Sequence, residues 1–227
     1  NRRGHFGPHG MRVLQFPTPL LASNMYLLTE NSHGIVIDPY DGFAAQIAEE
    51  CQEIDYILLT HEHYDHISGA NALRKRYGCP VVCSEACGRR IRNSTHNFSR
   101  YYEAYAAIQT GEPPPAGLPP VAECFTYADE VFSGQRTLFW QGHELVLTET
   151  PGHSPGSICI LADETRLFSG DTLLPGDVTV TRFPGGSGRQ YKEIALPYLW
   201  ELPDETLVYP GHYKAFPLWE HKIKMEE

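Results

Sequence analysis

Short apolar runs alternate with polar turns along most of this chain, which is the pattern of a protein built on mixed sheets. Apolar runs of about four to eight residues between turn residues predict buried strands. In the first half these runs are 11–16, 24–29, 34–38, 54–59 and 80–83. In the second half they are 136–140, 144–150, 157–161, 166–169 and 207–209. Each half therefore supplies one layer of strands that needs a cover of helices.

Helical spacing fills the gaps between these strands. It predicts helices over 43–51, 68–77 and 190–200, with a short helix after Pro217. Gly78 directly follows the second helix and is the expected stop signal.

Residues 93–122 break the regular pattern. Their aromatic half predicts a short helix, whereas the proline-rich run 112–120 predicts an extended, semi-rigid segment. A linker between domains is one interpretation. We favour an insertion that lies over a functional site, because strand signals resume beyond it. Residues 11–227 are then one domain, and 1–10 are a disordered extension or an artificial remnant.

The composition of the chain argues against a nucleic-acid-binding protein and against a membrane-spanning one. The formal net charge of −10 argues against nucleic acid, since phosphate binding needs a basic surface. No apolar run approaches the roughly 18 residues that span a bilayer. The six cysteines form no Cys-x-x-Cys pair, and the start has no apolar signal segment. Reduced structural thiols in a cytoplasmic protein are the expectation, without nucleic-acid or membrane partners.

A cluster of potential metal ligands follows the strand at 54–59. His61, His63, Asp65 and His66 lie within six residues. In an extended segment alternate side chains share a face, so His61 and His63 should point the same way, and Glu62 and Tyr64 away. A helix beginning near Ile67 would redirect Asp65 and His66 to a second point. One cluster can therefore serve two metal ions.

Three later loops supply further candidates, each directly after a predicted strand. They contain His153, Asp171 and His212, and a glycine precedes each, which permits a sharp turn. Any one of these motifs alone is weak evidence for a metal ligand, because Pro-Gly-His is an ordinary turn and Ser-Gly-Asp can cap a helix. Together they repeat one arrangement three times. Imidazole and carboxylate without thiolate suit zinc, and also iron or manganese.

The ordered set of motifs resembles the metallo-β-lactamase fold superfamily over most of residues 11–216. The motifs are His-x-His-x-Asp-His, Pro-Gly-His, Ser-Gly-Asp-Thr-Leu and Tyr-Pro-Gly-His. The resemblance implies an α/β (α+β) fold, a four-layer αβ/βα sandwich. It assigns the metal ligands as follows: His61, His63 and His153 to a first ion, Asp65, His66 and His212 to a second, with Asp171 bridging both. Two divalent ions, zinc first, would let a bridging hydroxide attack a carbonyl, with Asp65 and Asp171 as catalytic residues.

Within the superfamily the motifs look most like the short glyoxalase II-like (hydroxyacylglutathione hydrolase-like) proteins. The motifs are Phe168–Leu174, Pro184–Ser187 and Leu202–Thr206. They imply hydrolysis of a small-molecule or carrier-bound thioester. Full-length relatives carry a C-terminal helical domain that contacts glutathione, whereas this chain ends soon after His212. The thiol carrier is therefore left open between glutathione, coenzyme A and the phosphopantetheine of an acyl carrier protein.

Other activities of the same fold remain alternatives. One is a mononuclear iron persulfide dioxygenase, which would use residues matching His61, His63 or His153, and Asp171. A lactonase is another, although the resemblance would then ask for tyrosine at the position of Leu174. A scaffold without chemistry would not need all seven ligands.

Substrate contacts are predicted at five positions. Tyr101, Tyr102 and Tyr105 either line an acyl channel or pack the insertion onto the body. Tyr213 either reaches substrate or packs beneath the metal ions. Arg182 either binds a substrate carboxylate or pairs with surface acids.

Overall fold

The computed structural model describes residues 5–6, 10–113, 121–176 and 179–225. The strands of the first sheet are β1 (His5–Phe6), β2 (Arg12–Pro17), β3 (Asn24–Glu30), β4 (His33–Ile37), β5 (Glu53–Leu58), β6 (Val81–Ser84) and β7 (Glu130–Phe132). Those of the second are β8 (Gln135–Trp140), β9 (His143–Glu149), β10 (Ile158–Ala162), β11 (Arg166–Gly170), β12 (Leu207–Pro210) and β13 (Phe216–Pro217). Each sheet keeps its strands in sequence order, from β1 to β7 and from β13 back to β8.

The helices lie between or after the strands along the chain. They are α1 (Ala44–Glu50), α2 (Tyr64–Ile67), α3 (Ala70–Tyr77), α4 (Glu85–Arg90), α5 (Tyr102–Thr110), α6 (Gly188–Gln190), α7 (Leu196–Glu201) and α8 (Leu218–Met225). A π-helical turn, Tyr191–Ala195, joins α6 to α7. In the described ranges, no helix combines the length and the apolar character that crossing a membrane would require.

Three apolar layers hold the sandwich together. The central layer lies between the sheets, where Phe168 stacks on Tyr209 with ring centroids 4.9 Å apart. A second layer joins the first sheet to its helices through buried residues such as Ile47 and Leu73. A third joins the second sheet to Leu199 and Leu218. The predicted four-layer sandwich is therefore confirmed.

The strand directions bring several strand ends to one edge of the sandwich. β4 and β5 run parallel in the first sheet, and β11 and β12 run parallel in the second. β9 is antiparallel to β10, which is antiparallel to β11, so β9 points the same way as β11. At this edge the backbone N–H of Ile158 donates to the Thr60 carbonyl at 2.8 Å, which ties the two sheets together. Side chains that follow these strands must therefore meet.

The structure departs from the predicted elements where elements are short. The predicted helix 68–77 begins at Ala70, and Gly78 ends it in the left-handed conformation (φ +65°) as expected. The sequence did not reveal α4 or β7. Ser84 marks the start of α4, because its hydroxyl accepts from the Cys87 N–H at 3.1 Å. Such short elements carry too few residues for a periodic signal.

The insertion leaves and returns to one sheet, since β6 and β7 on either side of it are paired neighbours. Its aromatic half contains α5, the helix that was predicted. Most of the proline-rich run, residues 114–120, lies outside the described residues. At the amino end, β1 pairs antiparallel with β2, and residues 1–4 and 7–9 of the predicted extension lie outside the described residues.

Candidate metal centre

Two groups of potential ligands assemble at the shared edge of the sheets. His61 and His63 extend from β5, and His153 approaches them from the loop between β9 and β10. The ligand atoms of these three lie within 4.8 Å of one another. Asp65 and His66 lie in the turn of α2, where the chain changes direction. Their ligand atoms and that of His212, which follows β12, also lie within 4.8 Å of one another.

Asp171 lies between the two groups. Its Oδ2 is 3.7 Å from His61 Nε2 and 3.5 Å from His153 Nε2. The same oxygen is 3.4 Å from His212 Nε2, and Oδ1 is 3.3 Å from His66 Nε2. One carboxylate therefore contacts members of both groups, which is the position predicted for a bridging ligand.

Most of the histidine rings are oriented by a partner on the side away from the centre. His153 Nδ1 donates to the Val180 carbonyl at 2.8 Å, and His212 Nδ1 to the Leu21 carbonyl at 3.1 Å. His61 Nδ1 lies 3.0 Å from the Thr60 hydroxyl. Such partners fix the tautomer and leave the other ring nitrogen facing the centre.

Asp38 orients His66 and was not identified in the sequence. It directly follows β4, is buried, and accepts from His66 Nδ1 at 2.8 Å. The Asp38 oxygens also accept from the backbone N–H of Thr60 at 2.8 Å and from the Thr60 hydroxyl at 2.6 Å. A carboxylate at the end of a strand parallel to β5 was the signal that could have revealed it.

Glycines allow the close approach that the sequence predicted. A Cβ on Gly211 would overlap Asp171 Oδ1 and would lie 2.9 Å from the His66 ring. Gly170 has φ +51°, and a Cβ there would lie 2.6 Å from the Thr60 hydroxyl oxygen. Each glycine therefore lets one strand end press against the centre.

The two groups differ in their protonation. Burial holds the pKa of His61 well below its ordinary value and lowers the pKa of His63 to about 3. Burial also acts on His66 and His212, but the neighbouring carboxylates outweigh it. Asp65 and Asp171 raise the pKa of His66 well above its ordinary value, and Asp171 raises that of His212 to about 10. His61 and His63 are therefore neutral, whereas a metal ion at the second group must displace protons from His66 and His212.

The residues fit a pair of metal ions. His61 Nε2 and Asp171 Oδ1 are buried, and neither has a hydrogen-bond partner among the described residues. A buried polar atom without a partner is costly, and a cation would satisfy both. The donors are imidazole nitrogens and carboxylate oxygens, which zinc, iron and manganese accept. These clusters can therefore bind metal ions.

An Asp38→Asn variant should bind metal more weakly at the second group. The amide keeps the shape of the side chain but removes the charge beside His66 Nδ1. Loss of such an outer partner typically costs about 10–100-fold in metal affinity. Competition with a fluorescent chelator would measure the metal affinity of the variant and of the wild type. An Asp204→Asn variant, whose exposed carboxylate pairs with Lys222 at 2.8 Å, is the control and should keep its affinity. Equal affinities in the two variants would contradict the role of Asp38.

A cavity of about 340 Å³ opens beside the two groups. Three predicted substrate contacts, Tyr102, Tyr105 and Tyr213, line it. Two others, Tyr101 and Arg182, are not among its lining residues, and Tyr101 is half-exposed. The lining residues that the sequence reasoning missed are Leu21, Tyr64, Phe98, Gln109, Val180 and Phe183.

Tyr213 is held in an unusual backbone conformation, with φ +69°. Its carbonyl accepts from the side-chain amides of Asn24 and Gln15, each at 2.8 Å. A non-glycine residue in this region is strained by about 1–3 kcal/mol and persists only where its surroundings impose it. The two amides therefore fix the backbone that carries Tyr213 at the rim of the cavity.

Known proteins share this sequence pattern along most of the chain. A family profile described as Metallo-beta-lactamase superfamily matches residues 18–212. An uncharacterized protein of Mycobacterium tuberculosis is 28% identical over 215 residues, covering 89% of this chain and 91% of that protein. The probable metallo-hydrolase YqgX of Bacillus subtilis is 28% identical over 207 residues, covering 89% and 90%. A hydroxyacylglutathione hydrolase of a Polaromonas species is 28% identical over 187 residues, covering 81% of this chain and 58% of that protein.

Solved structures share the fold. The crystal structure of the BLEG-1 B3 metallo-beta-lactamase has a TM-score of 0.78 at 24% identity, covering 95% of this chain and 97% of that one. ETHE1 from Myxococcus xanthus has a TM-score of 0.65 at 27% identity, covering 92% and 80%. The architecture is therefore common to proteins of different names, and activity must be argued from the site.

Proposed function

The chain belongs to the metallo-beta-lactamase superfamily, and from that premise we propose that it is a dinuclear metal-dependent hydrolase that cleaves thioesters. One observation carries the proposal: Asp171 lies within 3.7 Å of His61 and within 3.3 Å of His66, one from each ligand group. A single carboxylate that reaches both groups favours two ions side by side over one. Zinc is the first candidate for both, with iron or manganese as the alternatives.

The proposed ligands form two sets, one for each metal ion. His61, His63 and His153 would hold one ion, and Asp65, His66 and His212 the other, with Asp171 shared. When bound, such a pair supplies a hydroxide nucleophile at neutral pH and positive charge for the developing oxyanion.

The protein fixes this geometry in advance. Asp65 Oδ2 lies 3.2 Å from His66 Nε2 and 3.4 Å from His212 Nε2, so it holds both rings of its group. A thiolate leaving group needs little protonation, so the proposed reaction does not require a dedicated acid.

The thioester bond is favoured by resemblance rather than by geometry. The relative named hydroxyacylglutathione hydrolase aligns with 81% of this chain. The motifs Phe168–Leu174 and Leu202–Thr206, which resemble those of glyoxalase II-like proteins, also favour a thioester. The thiol carrier can be glutathione, coenzyme A or the phosphopantetheine of an acyl carrier protein.

Metal analysis together with a substrate panel tests the proposal. We expect two metal equivalents per chain and turnover of thioesters in preference to lactones. The panel should contain S-lactoylglutathione, coenzyme A and pantetheine thioesters, an acyl-homoserine lactone and glutathione persulfide. One iron per chain with oxygen uptake on glutathione persulfide would identify a persulfide dioxygenase instead, and lactone turnover alone would identify a lactonase.

A further inference from the structure

The cavity wall away from the ligand groups is uncharged. Phe98, Tyr102, Tyr105 and Phe183 form its aromatic part, and Leu174 belongs to its aliphatic part. Among the described lining residues there is no lysine or arginine, and the only carboxylates are the metal-site residues Asp65 and Asp171. A charged substituent that entered this wall would lose its hydration without gaining an ion-pair partner among these lining residues.

Phe183 is the centre of the aromatic wall. Its ring centroid is 6.1 Å from that of His63 and 6.0 Å from that of His153, with the ring planes at 86° and 88°. On its other side it meets Tyr105 at 5.3 Å and 81°. These are edge-to-face arrangements, the geometry that aromatic pairs prefer. Phe183 therefore connects the ligand rings to α5 through one continuous aromatic surface.

The insertion holds its part of the wall in place. Phe98 has φ +65°, and its ring centroid lies 4.7 Å from that of His63. The neighbouring Asn97 is fully buried, and its amide donates to the carbonyls of Ile91 at 3.2 Å and Cys124 at 2.9 Å. Burial raises the pKa of Tyr105 to about 12, so its hydroxyl stays uncharged. The wall is therefore pre-organised, which lowers the cost of binding a rigid group.

We propose that this cavity is an acyl pocket that selects an uncharged aromatic acyl group, with Phe98, Tyr105 and Phe183 as its specificity residues. This inference rests on the proposed thioester hydrolysis and names its acyl substrate class. An aromatic ring buries a large apolar area and packs edge-to-face against existing rings. A small polar acyl group such as lactoyl would leave most of the wall uncovered. The charged part of any thiol carrier stays outside the pocket.

Thioesters of one small uncharged thiol, N-acetylcysteamine, test the selectivity. The acyl groups are phenylacetyl, cyclohexylacetyl, acetyl, lactoyl and succinyl, so that carrier contacts are held constant. Hydrophobic pockets discriminate about 10–200-fold for even one methylene group. We expect kcat/KM for phenylacetyl to exceed that for acetyl, lactoyl and succinyl by about tenfold or more, and that for cyclohexylacetyl by a smaller factor. Equal values for phenylacetyl and cyclohexylacetyl, or a preference for lactoyl or succinyl, would overturn the inference.

Variants locate the selectivity in the wall. Phe183→Ala should lower the phenylacetyl-to-acetyl ratio of kcat/KM by about tenfold. Phe183→Leu keeps most of the volume and guards against misfolding, and it should lower the ratio in the same direction. Ile108→Ala is the matched control, because Ile108 lies on α5 with 77% of its surface exposed and does not line the cavity. The control should keep the ratio.

A binding measurement separates this inference from the proposed function. The probe is the phenylacetyl ketone analogue in which CH₂ replaces the thioester sulfur, titrated calorimetrically. It should bind at least about tenfold more tightly than the methyl ketone and should lose this advantage in Phe183→Leu. Hydrolysis of all thioesters with a flat ratio would overturn the acyl pocket alone. No thioester turnover, with Phe183-dependent binding of the analogue retained, would overturn the proposed function and leave an aromatic-binding pocket.

Discussion

An Asp171→Asn variant should lose its tight second metal ion and nearly all hydrolytic activity. Asp171 approaches histidines of both groups, and asparagine has nearly the same shape but no charge to neutralise two cations. Loss of an outer partner of a metal ligand already costs about 10–100-fold, and loss of a shared ligand should exceed that. We therefore expect kcat/KM for a thioester to fall by more than about 100-fold. Elemental analysis and steady-state kinetics on the same preparation would measure both effects.

The same substitution at an exposed aspartate provides the control. Asp204 pairs with Lys222 at 2.8 Å on the surface, and its side chain is 63% exposed. Asp204→Asn should keep both metal equivalents and the activity. Asp171→Asn that retained two ions and activity within tenfold would show that the two groups do not share this carboxylate. Circular dichroism of both variants would verify that the fold is retained.

Local patterns predicted most strands and the candidate ligands, whereas the four-layer fold and the division of the ligands into two groups came from the family resemblance. His61 and His63 follow β5, and their ligand atoms lie within 4.8 Å of each other, as the expected alternation requires. Asp171 and His212 could be predicted because each follows an apolar strand at a glycine. Parallel strands bring such positions to one edge, so neither required knowledge of distant contacts.

The alternation argument failed at Tyr64 for a physical reason. α2 begins at this residue, so the period of two no longer applies there. Tyr64 consequently turns to the cavity and meets the ring of Tyr102 at 5.1 Å, instead of pointing away as predicted.

Residues brought in by long-range packing could not be predicted. Phe183 lies in a glycine- and proline-rich stretch without periodicity, and nothing local indicates that it reaches the ligand rings. Phe98 depends on a left-handed backbone that only the buried Asn97 network explains. Asp38 is 28 residues from His66 along the chain and contacts it because β4 and β5 are parallel.

The alternation of side chains was predicted correctly at Glu62, whose side chain points away from the ligand groups. Its side chain is 0% exposed and forms an ion pair with Arg90 of α4, Nε to Oε1, at 2.9 Å. Its other oxygen accepts from the Ser154 hydroxyl at 2.9 Å. Glu62 stands between His61 and His63 in the sequence, and Ser154 directly follows His153. The Glu62 carboxylate therefore links the two chain segments that carry the first ligand group.

Replacing Arg90 by methionine should destabilise the fold by about 3 kcal/mol at pH 8. Removing one partner of a buried ion pair typically costs about 3–5 kcal/mol, and the lower end applies because 19% of the Arg90 side chain is exposed. Burial raises the pKa of Glu62, and the Arg90 charge opposes that rise. Without Arg90, folding must either bury an unpaired carboxylate or protonate it. Urea unfolding of both proteins at saturating metal would measure the difference in free energy of unfolding.

The pH dependence of that difference distinguishes an unpaired charge from lost packing. A carboxyl whose pKa is higher in the folded state destabilises the fold above that pKa, and the penalty fades as pH falls towards its unfolded value. The gap between wild type and Arg90→Met should therefore narrow from pH 8 to pH 5, whereas a packing defect would leave it constant. Adding Glu62→Gln removes the unpaired charge and should restore most of the lost stability at pH 8, because the amide oxygen can still accept from Ser154. Arg89→Met is the matched control on the same helix: its side chain is 68% exposed, and its pair with Glu85 should contribute less than about 1 kcal/mol.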